Sequence, residues 1–436
     1  MKKYLAFLLC IVAILGLCAC GQTAAPQETE LGPEVVEKKD YSQWAGIVHD
    51  PKTWYEEFMA LPVANENMTE DELRQLAVDA FRINLSFTWT PTKDISYEFT
   101  LLERTRPVSL PRGFAYSGMF YFNNNARGNI WKVLQYYDPE TGAMDIEELG
   151  SNYAMVLSSA CSYGYMQAIN RVSNSHNLTG MESYNQGISN IVLVGPYTYN
   201  YYEHSFAHGD GTPRIIEKNG VDVMAESLAA CKPADGLYTS SGYHVMMCSG
   251  VPVVVRDNRG KIDLEQSYMP VCEQRADGSV SDQYNYKQGN GVYLRPLGTV
   301  DEKYTFKRLL DTGYVPFTVK ELVGQDPVEP GKAWIGTETA PLESGKDMTA
   351  EEIFGNLVWG NYNVCTVEVQ VKNPDGQVLL SYKAPPISRP DQFSMAFGSG
   401  VSELNLKPLT NGKNTVHIYA QLSNGELLEA FQTVLK

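Results

Sequence analysis

The stretch Ser158-Ser159-Ala160-Cys161-Ser162-Tyr163 leads directly into apolar residues at helical spacing, namely Tyr165, Met166, Ala168, Ile169 and Val172. This pattern predicts a helix that begins near the cysteine. The unpaired N–H groups of a first helical turn, and the positive end of the helix dipole, favour a thiolate over a thiol. Cys161 is therefore a candidate nucleophile, and a buried cysteine that only packs is the alternative.

A histidine opens a second predicted element. The turn-forming stretch Pro233-Ala234-Asp235-Gly236-Leu237 precedes Gly242-Tyr243-His244-Val245-Met246-Met247, whose apolar run predicts a β-strand. Cysteine followed by histidine in chain order is typical of the nucleophile and general base of papain-like hydrolases. The sequence thus makes His244 the candidate partner of Cys161.

These segments resemble the signatures of NlpC-type cell-wall cysteine peptidases, over about residues 100–320. Cys161-Ser162 matches the nucleophile segment of that family, in which Ala160 and Tyr163 here replace the usual Asp and Gly. Gly118-Met119-Phe120-Tyr121 is similar to the segment that precedes the family's nucleophile. The resemblance implies an α+β fold of papain-like type, in which Cys161 attacks an amide carbonyl and His244 assists.

The resemblance also implies a third polar residue that orients the histidine. The position that the family spacing assigns to it holds Arg256, which has only donors and cannot accept the ring proton. Asp257, Glu273 and Gln274 remain as candidates. We favour Gln274, because an amide oxygen would orient a neutral imidazole without fixing its charge.

Several residues beside the proposed pair are expected to line a substrate groove. They are Tyr121, Ser162, Tyr163, Asp235 and Tyr243. The aromatic run 197–202 is expected either to border the groove, where rings stack on sugars or peptide planes, or to pack half-buried against the core.

The N-terminus has the pattern of an export signal. Lys2-Lys3 is followed by an apolar run from Leu5 to Leu17 and then by Cys18-Ala19-Cys20-Gly21. These last residues resemble a bacterial lipobox, which implies a signal peptide over residues 1–20 and a lipid on Cys20. A plain secretory signal is the alternative. Residues 21–43 predict a flexible tether, so the protein is expected on the outer face of the bacterial cell membrane, facing the cell wall.

Composition narrows the classes of partner and cofactor. A net charge of −16 argues against nucleic acid, because binding a polyanion requires Lys and Arg. His204 and His208 have the spacing of two metal ligands on a helix, but their flanks indicate a loop, and no Glu follows the first His. Neither a metal nor an organic cofactor is therefore expected.

The cysteines give no sign of a disulfide framework. Outside the signal and the lipobox, five cysteines remain, an odd number without scaffold spacing: Cys161, Cys231, Cys248, Cys272 and Cys365. A bond between Cys248 and Cys272 is the one pairing that we consider, since it would join neighbouring strands.

Two folded regions are expected after the tether. Residues 44–324 would form the catalytic domain, with a largely helical N-terminal extension over 44–92 that includes the capping box Thr69-x-x-Glu72. Residues 347–436 alternate apolar and polar residues, clearest from Cys365 to Val371 and from Thr415 to Leu422. This pattern predicts an all-β sandwich of immunoglobulin-like type, acting as a spacer or as a wall-binding module.

The expected function is that of a lipid-anchored cysteine hydrolase that cleaves amide bonds in peptidoglycan stem peptides or another cell-wall peptide. A catalytically inactive binding or scaffold lipoprotein on the same fold is the first alternative, because fold does not certify activity. Amide or thioester chemistry on another substrate is the second.

Overall fold

The computed structural model describes residues 50–101, 104–110, 112, 115–121, 130–149, 157–172, 191–199, 211–241, 244–274, 298–324, 335–337, 357–360, 362, 364–383, 394–396 and 408–435. The predicted signal and tether, and with them Cys20, lie outside the described residues. From Lys38 to Lys436 the chain forms one compact unit. Within the described ranges, no helix has the length and apolar character that crossing a membrane requires.

Helices and strands alternate irregularly along this part of the chain. The helices are α1 (Pro51–Ala60), α2 (Glu70–Leu85), α3 (Ile130–Leu134), α4 (Ile146–Leu149), α5 (Cys161–Ile169), α6 (Gly211–Asn219), α7 (Val221–Ala229) and α8 (Phe306–Asp311), with a 3-10 turn at Lys320–Val323. The strands of the first half are β1 (Thr88–Pro91), β2 (Ile95–Leu101), β3 (Arg104–Leu110), β4 (Tyr116–Ser117), β5 (Phe120–Tyr121), β6 (Ala143–Met144), β7 (Ser158–Ser159) and β8 (Ile191–Leu193). Those of the second half are β9 (Gly236–Thr239), β10 (His244–Cys248), β11 (Tyr268–Gln274), β12 (Gly298–Thr305), β13 (Val315–Val319), β14 (Ile335–Thr337), β15 (Leu357–Gly360), β16 (Val364–Lys372), β17 (Val378–Lys383), β18 (Ser394–Ala396), β19 (Thr415–Leu422) and β20 (Leu427–Val434).

A six-stranded sheet with the order β12-β11-β10-β9-β13-β8 forms the centre of the fold. All five of its strand pairs are antiparallel. Helix α5 packs against α2 and against strands β10 and β11. This combination of helices with mainly antiparallel sheets agrees with the predicted α+β class.

Gly164 allows α5 to approach its neighbours closely. A Cβ atom added there would lie 3.0 Å from the ring of Phe81 on α2 and 3.1 Å from the side-chain oxygen of Gln274 on β11. Both distances are tighter than ordinary van der Waals contact. The glycine therefore fixes how deeply the helix that begins at Cys161 sits between α2 and the sheet.

The predicted capping box at the start of α2 is confirmed. The Thr69 hydroxyl accepts a hydrogen bond from the backbone N–H of Glu72, and the Glu72 carboxylate accepts one from the backbone N–H of Thr69. Apolar residues that follow at helical spacing are fully buried, among them Ala77 and Phe81. Helices α1 and α2 make up most of the described part of residues 44–92. The helical part ends at Leu85, before strand β1, which pairs with β4 and β6.

Strict alternation correctly predicts the strands of the C-terminal region. In the antiparallel sheet β17-β16-β19-β20, the residues Val367, Val369 and Val371 are fully buried. A second sheet has the order β14-β15-β18. The turn between β19 and β20 reaches the chain just after α5, where the Ser423 hydroxyl donates to the Asn170 carbonyl at 3.2 Å.

Candidate active site

Cys161 is the first residue of α5, as the sequence predicts. The preceding residue, Ala160, is extended, with φ −100° and ψ 170°, and its carbonyl accepts the Gly164 N–H at 2.9 Å. The thiol thus lies in the first turn, where the helix dipole favours a negative charge. Cys161 is buried and exposes only 4% of its surface.

The strand before Cys161 is held by the segment that the family resemblance singles out. Strand β5 pairs in parallel with β7, so that Phe120 lies opposite Ser158 and Tyr121 opposite Ser159. Backbone pairing therefore brings the Tyr121 segment beside the residues that lead into the helix. Cys161 is thus held by this short sheet on its N-terminal side and by the packing of α5 on its C-terminal side.

His244 opens β10 and contacts Cys161, the candidate nucleophile. Its Nε2 atom lies 2.6 Å from Oε2 of Glu273. A carboxylate only accepts, so Nε2 carries the proton and Nδ1 remains for the thiol. Burial lowers the pKa of His244, but a hydrogen bond to Cys161 and its negative charge, and then those of Glu273, raise it from 6.5 to about 10.

Glu273, on β11, is the third member of the site. Its side chain exposes 2% of its surface. While Oε2 faces His244, Oε1 accepts hydrogen bonds from the Tyr304 hydroxyl at 2.5 Å and from the Thr299 hydroxyl at 3.4 Å. A buried carboxylate is stable only when it is paired and hydrogen-bonded, and here both oxygens have partners.

The expectation that Gln274 orients the histidine is corrected. The Gln274 amide nitrogen donates to the carbonyls of Met119 at 2.7 Å and Ser159 at 3.4 Å. Neighbouring residues of a strand point to opposite faces of the sheet, so Glu273 and Gln274 do not both reach one ring. Gln274 instead joins β11 to Met119, just before β5, and to Ser159, the last residue of β7.

The other residues near the expected third position lie on an exposed turn. The Asp257 carboxylate accepts the backbone N–H groups of Arg259 and Lys261, at 2.8 and 2.9 Å. Arg256 forms an exposed ion pair with Glu226 at 2.6 Å. Asp257 and Arg256 are therefore residues of a surface turn, and their contacts within the described part of the chain do not include His244.

Asp235 is a structural residue and not part of an open groove. Its side chain is 2% exposed and forms an ion pair with Arg74 of α2 at 2.7 Å. Its second oxygen accepts the Lys232 backbone N–H at 2.8 Å. The expected groove role of Asp235 is therefore corrected, because one carboxylate oxygen is bound by Arg74 of α2 and the other by the turn before β9.

The remaining groove candidates have different surroundings. Ser162 and Tyr163 are half-buried, and the Tyr163 ring packs against the main core. Tyr243 lies outside the described residues, as do residues 200–202 of the aromatic run. Tyr197 is buried and donates to the Pro316 carbonyl at 2.6 Å, which favours the packing alternative for that residue.

None of the five described cysteines forms a disulfide, and all five are buried. Cys248 and Cys272 do not pair. Met247 lies directly opposite Cys272 in the sheet, so Cys248 is one residue out of phase and faces away. Burial raises the pKa of both thiols to about 12, so neither competes with Cys161 as a nucleophile at neutral pH.

Among the described residues, no cluster of three His, Cys, Asp or Glu side chains could hold a metal ion. His204 and His208 lie outside that part of the chain.

Thiol, imidazole and carboxylate thus form a connected series in which each group can act on the next. A carboxylate that holds imidazolium beside a thiolate is the arrangement that activates a cysteine nucleophile. Comparison of the chain with protein-family models, curated proteins and solved structures finds no match. The function is accordingly inferred from the chemistry of these residues.

Proposed function

We propose that this protein is a lipid-anchored cysteine hydrolase that cleaves amide bonds in peptidoglycan stem peptides. The observation that supports it best is that His244 contacts both Cys161 and Glu273. Three residues that are far apart in the sequence meet with complementary chemistry. A cysteine that only packs needs no such partners, and the buried Cys231 has neither a histidine nor a carboxylate as a hydrogen-bond partner among its described contacts.

The proposed catalytic fold is papain-like, and the proposed C-terminal fold is immunoglobulin-like. A helix that begins at the nucleophile and packs against the histidine strand supports the first. Two antiparallel sheets, β17-β16-β19-β20 and β14-β15-β18, support the second.

In the proposed reaction, the Cys161 thiolate attacks the amide carbonyl and forms a tetrahedral adduct. The backbone N–H groups of the first turn of α5 would stabilise its oxyanion, an effect of about 3 kcal/mol per donor in such sites. His244 then gives its Nδ1 proton to the departing amine, which leaves an acyl-enzyme. Water activated by the neutral imidazole hydrolyses the thioester and restores the thiolate.

The proposed location follows from the N-terminal pattern. A lipid on Cys20 would hold the protein on the outer face of the bacterial cell membrane, and the segment 21–43 would let the folded part reach the wall. Peptidoglycan, a glycan polymer cross-linked by short peptides, is the polymer that such a protein meets there. Stem peptides are therefore the proposed substrate class.

The test is mass spectrometry of purified peptidoglycan after incubation with the detergent-purified protein. We expect new stem-peptide fragments with the wild type and none with Cys161→Ala or His244→Ala. Cys231→Ala is the matched control, because Cys231 also exposes 4% of its surface and burial raises its pKa well above the ordinary value. Identical digests from all four folded proteins would refute the hydrolase.

Two observations favour a second candidate, an inactive binding protein. The nucleophile is only 4% exposed, and Ala160 and Tyr163 depart from the family pattern. Sedimentation of the protein with insoluble peptidoglycan, in the absence of any cleavage, would support this candidate.

A further inference from the structure

Tyr304 is buried behind the candidate active site. It lies on β12 and exposes 3% of its surface. Its hydroxyl donates to Oε1 of Glu273 at 2.5 Å, the distance of a strong hydrogen bond to a carboxylate. Neither the resemblance nor the spacing of the sequence singles this residue out.

The two carboxylate oxygens of Glu273 have different partners. Oε2 faces the His244 ring at 2.6 Å, and Oε1 is held by Tyr304 and more weakly by Thr299 at 3.4 Å. A carboxylate held at one oxygen cannot rotate without breaking that bond. The hydroxyl therefore decides which way the other oxygen points.

Tyr304 is itself held in place. The guanidinium of Arg308, on α8, lies 3.5 Å from the centre of the tyrosine ring, and Arg308 also pairs with Glu302 at 3.1 Å. Burial and then the charge of Glu273 raise the pKa of the Tyr304 hydroxyl far above 10. The Tyr304 hydroxyl consequently keeps its proton and remains a hydrogen-bond donor up to about pH 10, the upper end of the labelling experiment below.

We infer that Tyr304 is a positioning residue of the site, whose hydroxyl fixes the Glu273 carboxylate so that it holds the His244 imidazolium beside Cys161. The inference rests on the proposed function. The groups that contact this carboxylate come from two strands: His244 from β10, and Thr299 and Tyr304 from β12. Cys161 of α5 contacts the other side of the His244 ring.

The test follows the pH dependence of iodoacetamide labelling at Cys161, read by mass spectrometry of the peptide that contains it. In the wild type, labelling should be fast well below the ordinary thiol pKa. Its rate should change again near pH 10, where His244 loses its proton. In Tyr304→Phe, the carboxylate turns and holds that proton less firmly, so the upper transition should fall by about one pH unit.

Tyr137→Phe is the matched control. Tyr137 is buried, its hydroxyl donates to the Thr88 carbonyl at 2.9 Å, and burial raises its pKa. The same atom is removed there, in a separate aromatic core, and the labelling profile should not move. A profile altered by both variants would show a general loss of packing and would overturn the inference.

The outcomes separate this inference from the proposed function. If the wild type labels like an ordinary thiol, the hydrolase proposal fails. If the wild type shows the reactive thiolate and folded Tyr304→Phe has the same or a higher upper transition, only the role of Tyr304 fails. Should Tyr304→Phe not fold, Arg308→Leu removes an exposed side chain that holds the ring. The upper pH transition of Cys161 labelling must then fall by less than the shift of about one pH unit expected for Tyr304→Phe. An unchanged transition in Arg308→Leu would overturn the inference.

Discussion

Replacing Arg74 by methionine should destabilise the protein severely, because it breaks a buried ion pair. Arg74 and Asp235 expose 3% and 2% of their side chains and lie 2.7 Å apart. The guanidinium also donates to the carbonyls of Pro233 at 2.9 Å and Leu322 at 3.1 Å. One side chain of α2 thereby ties together the turn before β9 and the turn after β13.

The size of the loss follows from these contacts. Removing one partner of a buried pair costs about 3–5 kcal/mol, because the remaining charge is left without compensation. The two carbonyls lose a charged donor as well, which places the expected decrease in the free energy of unfolding near 5 kcal/mol. The double variant Arg74→Met/Asp235→Asn should lose less, since no buried charge then remains.

Urea unfolding measures these values. Arg256→Met is the control, because its pair with Glu226 is exposed and a surface ion pair contributes little to the free energy of unfolding. A loss in Arg74→Met no larger than that of this control would refute the reasoning.

The same pair makes a prediction about pH. Burial raises the pKa of Asp235, and the charge of Arg74 opposes the rise. In Arg74→Met the opposition is gone, so the folded chain binds the Asp235 proton more tightly than the unfolded chain. Stability then decreases as pH rises through that pKa, and the variant should recover part of its loss in mild acid. A pH-independent loss would contradict this.

Three further changes have defined outcomes. Glu273→Gln removes a charge beside His244, so the pKa of His244, about 10 in the wild type, should fall in an NMR titration; an unchanged value would exclude the ion pair. Gly236→Ala would place a Cβ against the Phe317 ring, well inside van der Waals contact, so thermal unfolding should show a decrease of at least about 2 kcal/mol in the free energy of unfolding. An unchanged stability would exclude this packing. Burial lowers the pKa of Lys132 from 10.5 to about 8, so its contribution to the free energy of unfolding rises with pH between these two values. In Lys132→Met this rise should disappear. An unchanged dependence of stability on pH would refute the burial effect.

Local patterns predict much of the candidate site. The helix beginning at Cys161 and the strand beginning at His244 could be predicted because apolar spacing and turn residues mark element boundaries within one short stretch. The alternation from Cys365 to Val371 predicts a strand for the same reason. Each of these depends only on residues close in sequence.

The contacts of the third residue could not be predicted in this way. Choosing Glu273 over Gln274 requires knowing which residues of β11 face His244. A shift of one residue in the pairing of β11 would move every side chain of the strand to the other face of the sheet. Tyr304 is still harder, because the pairing of β11 with β12 is irregular between Val271 and Glu273, and Asp301 opposite has a φ of 54°. Counting along the sequence does not reveal such an irregularity.

The contact between the C-terminal sheet and the end of α5 limits where the chain can be truncated without disturbing the candidate site. Ser423 donates to the Asn170 carbonyl, and the Arg171 guanidinium donates to the Asn424 carbonyl at 3.4 Å, so the helix that starts with Cys161 ends against the last hairpin. Arg171 is only 4% exposed. Cutting the chain at residue 324 would bring the buried Arg171 to the surface and remove the contacts at the end of the helix that begins at Cys161. The C-terminal region therefore does not behave as an interchangeable module, and a chimera would have to carry this hairpin with it.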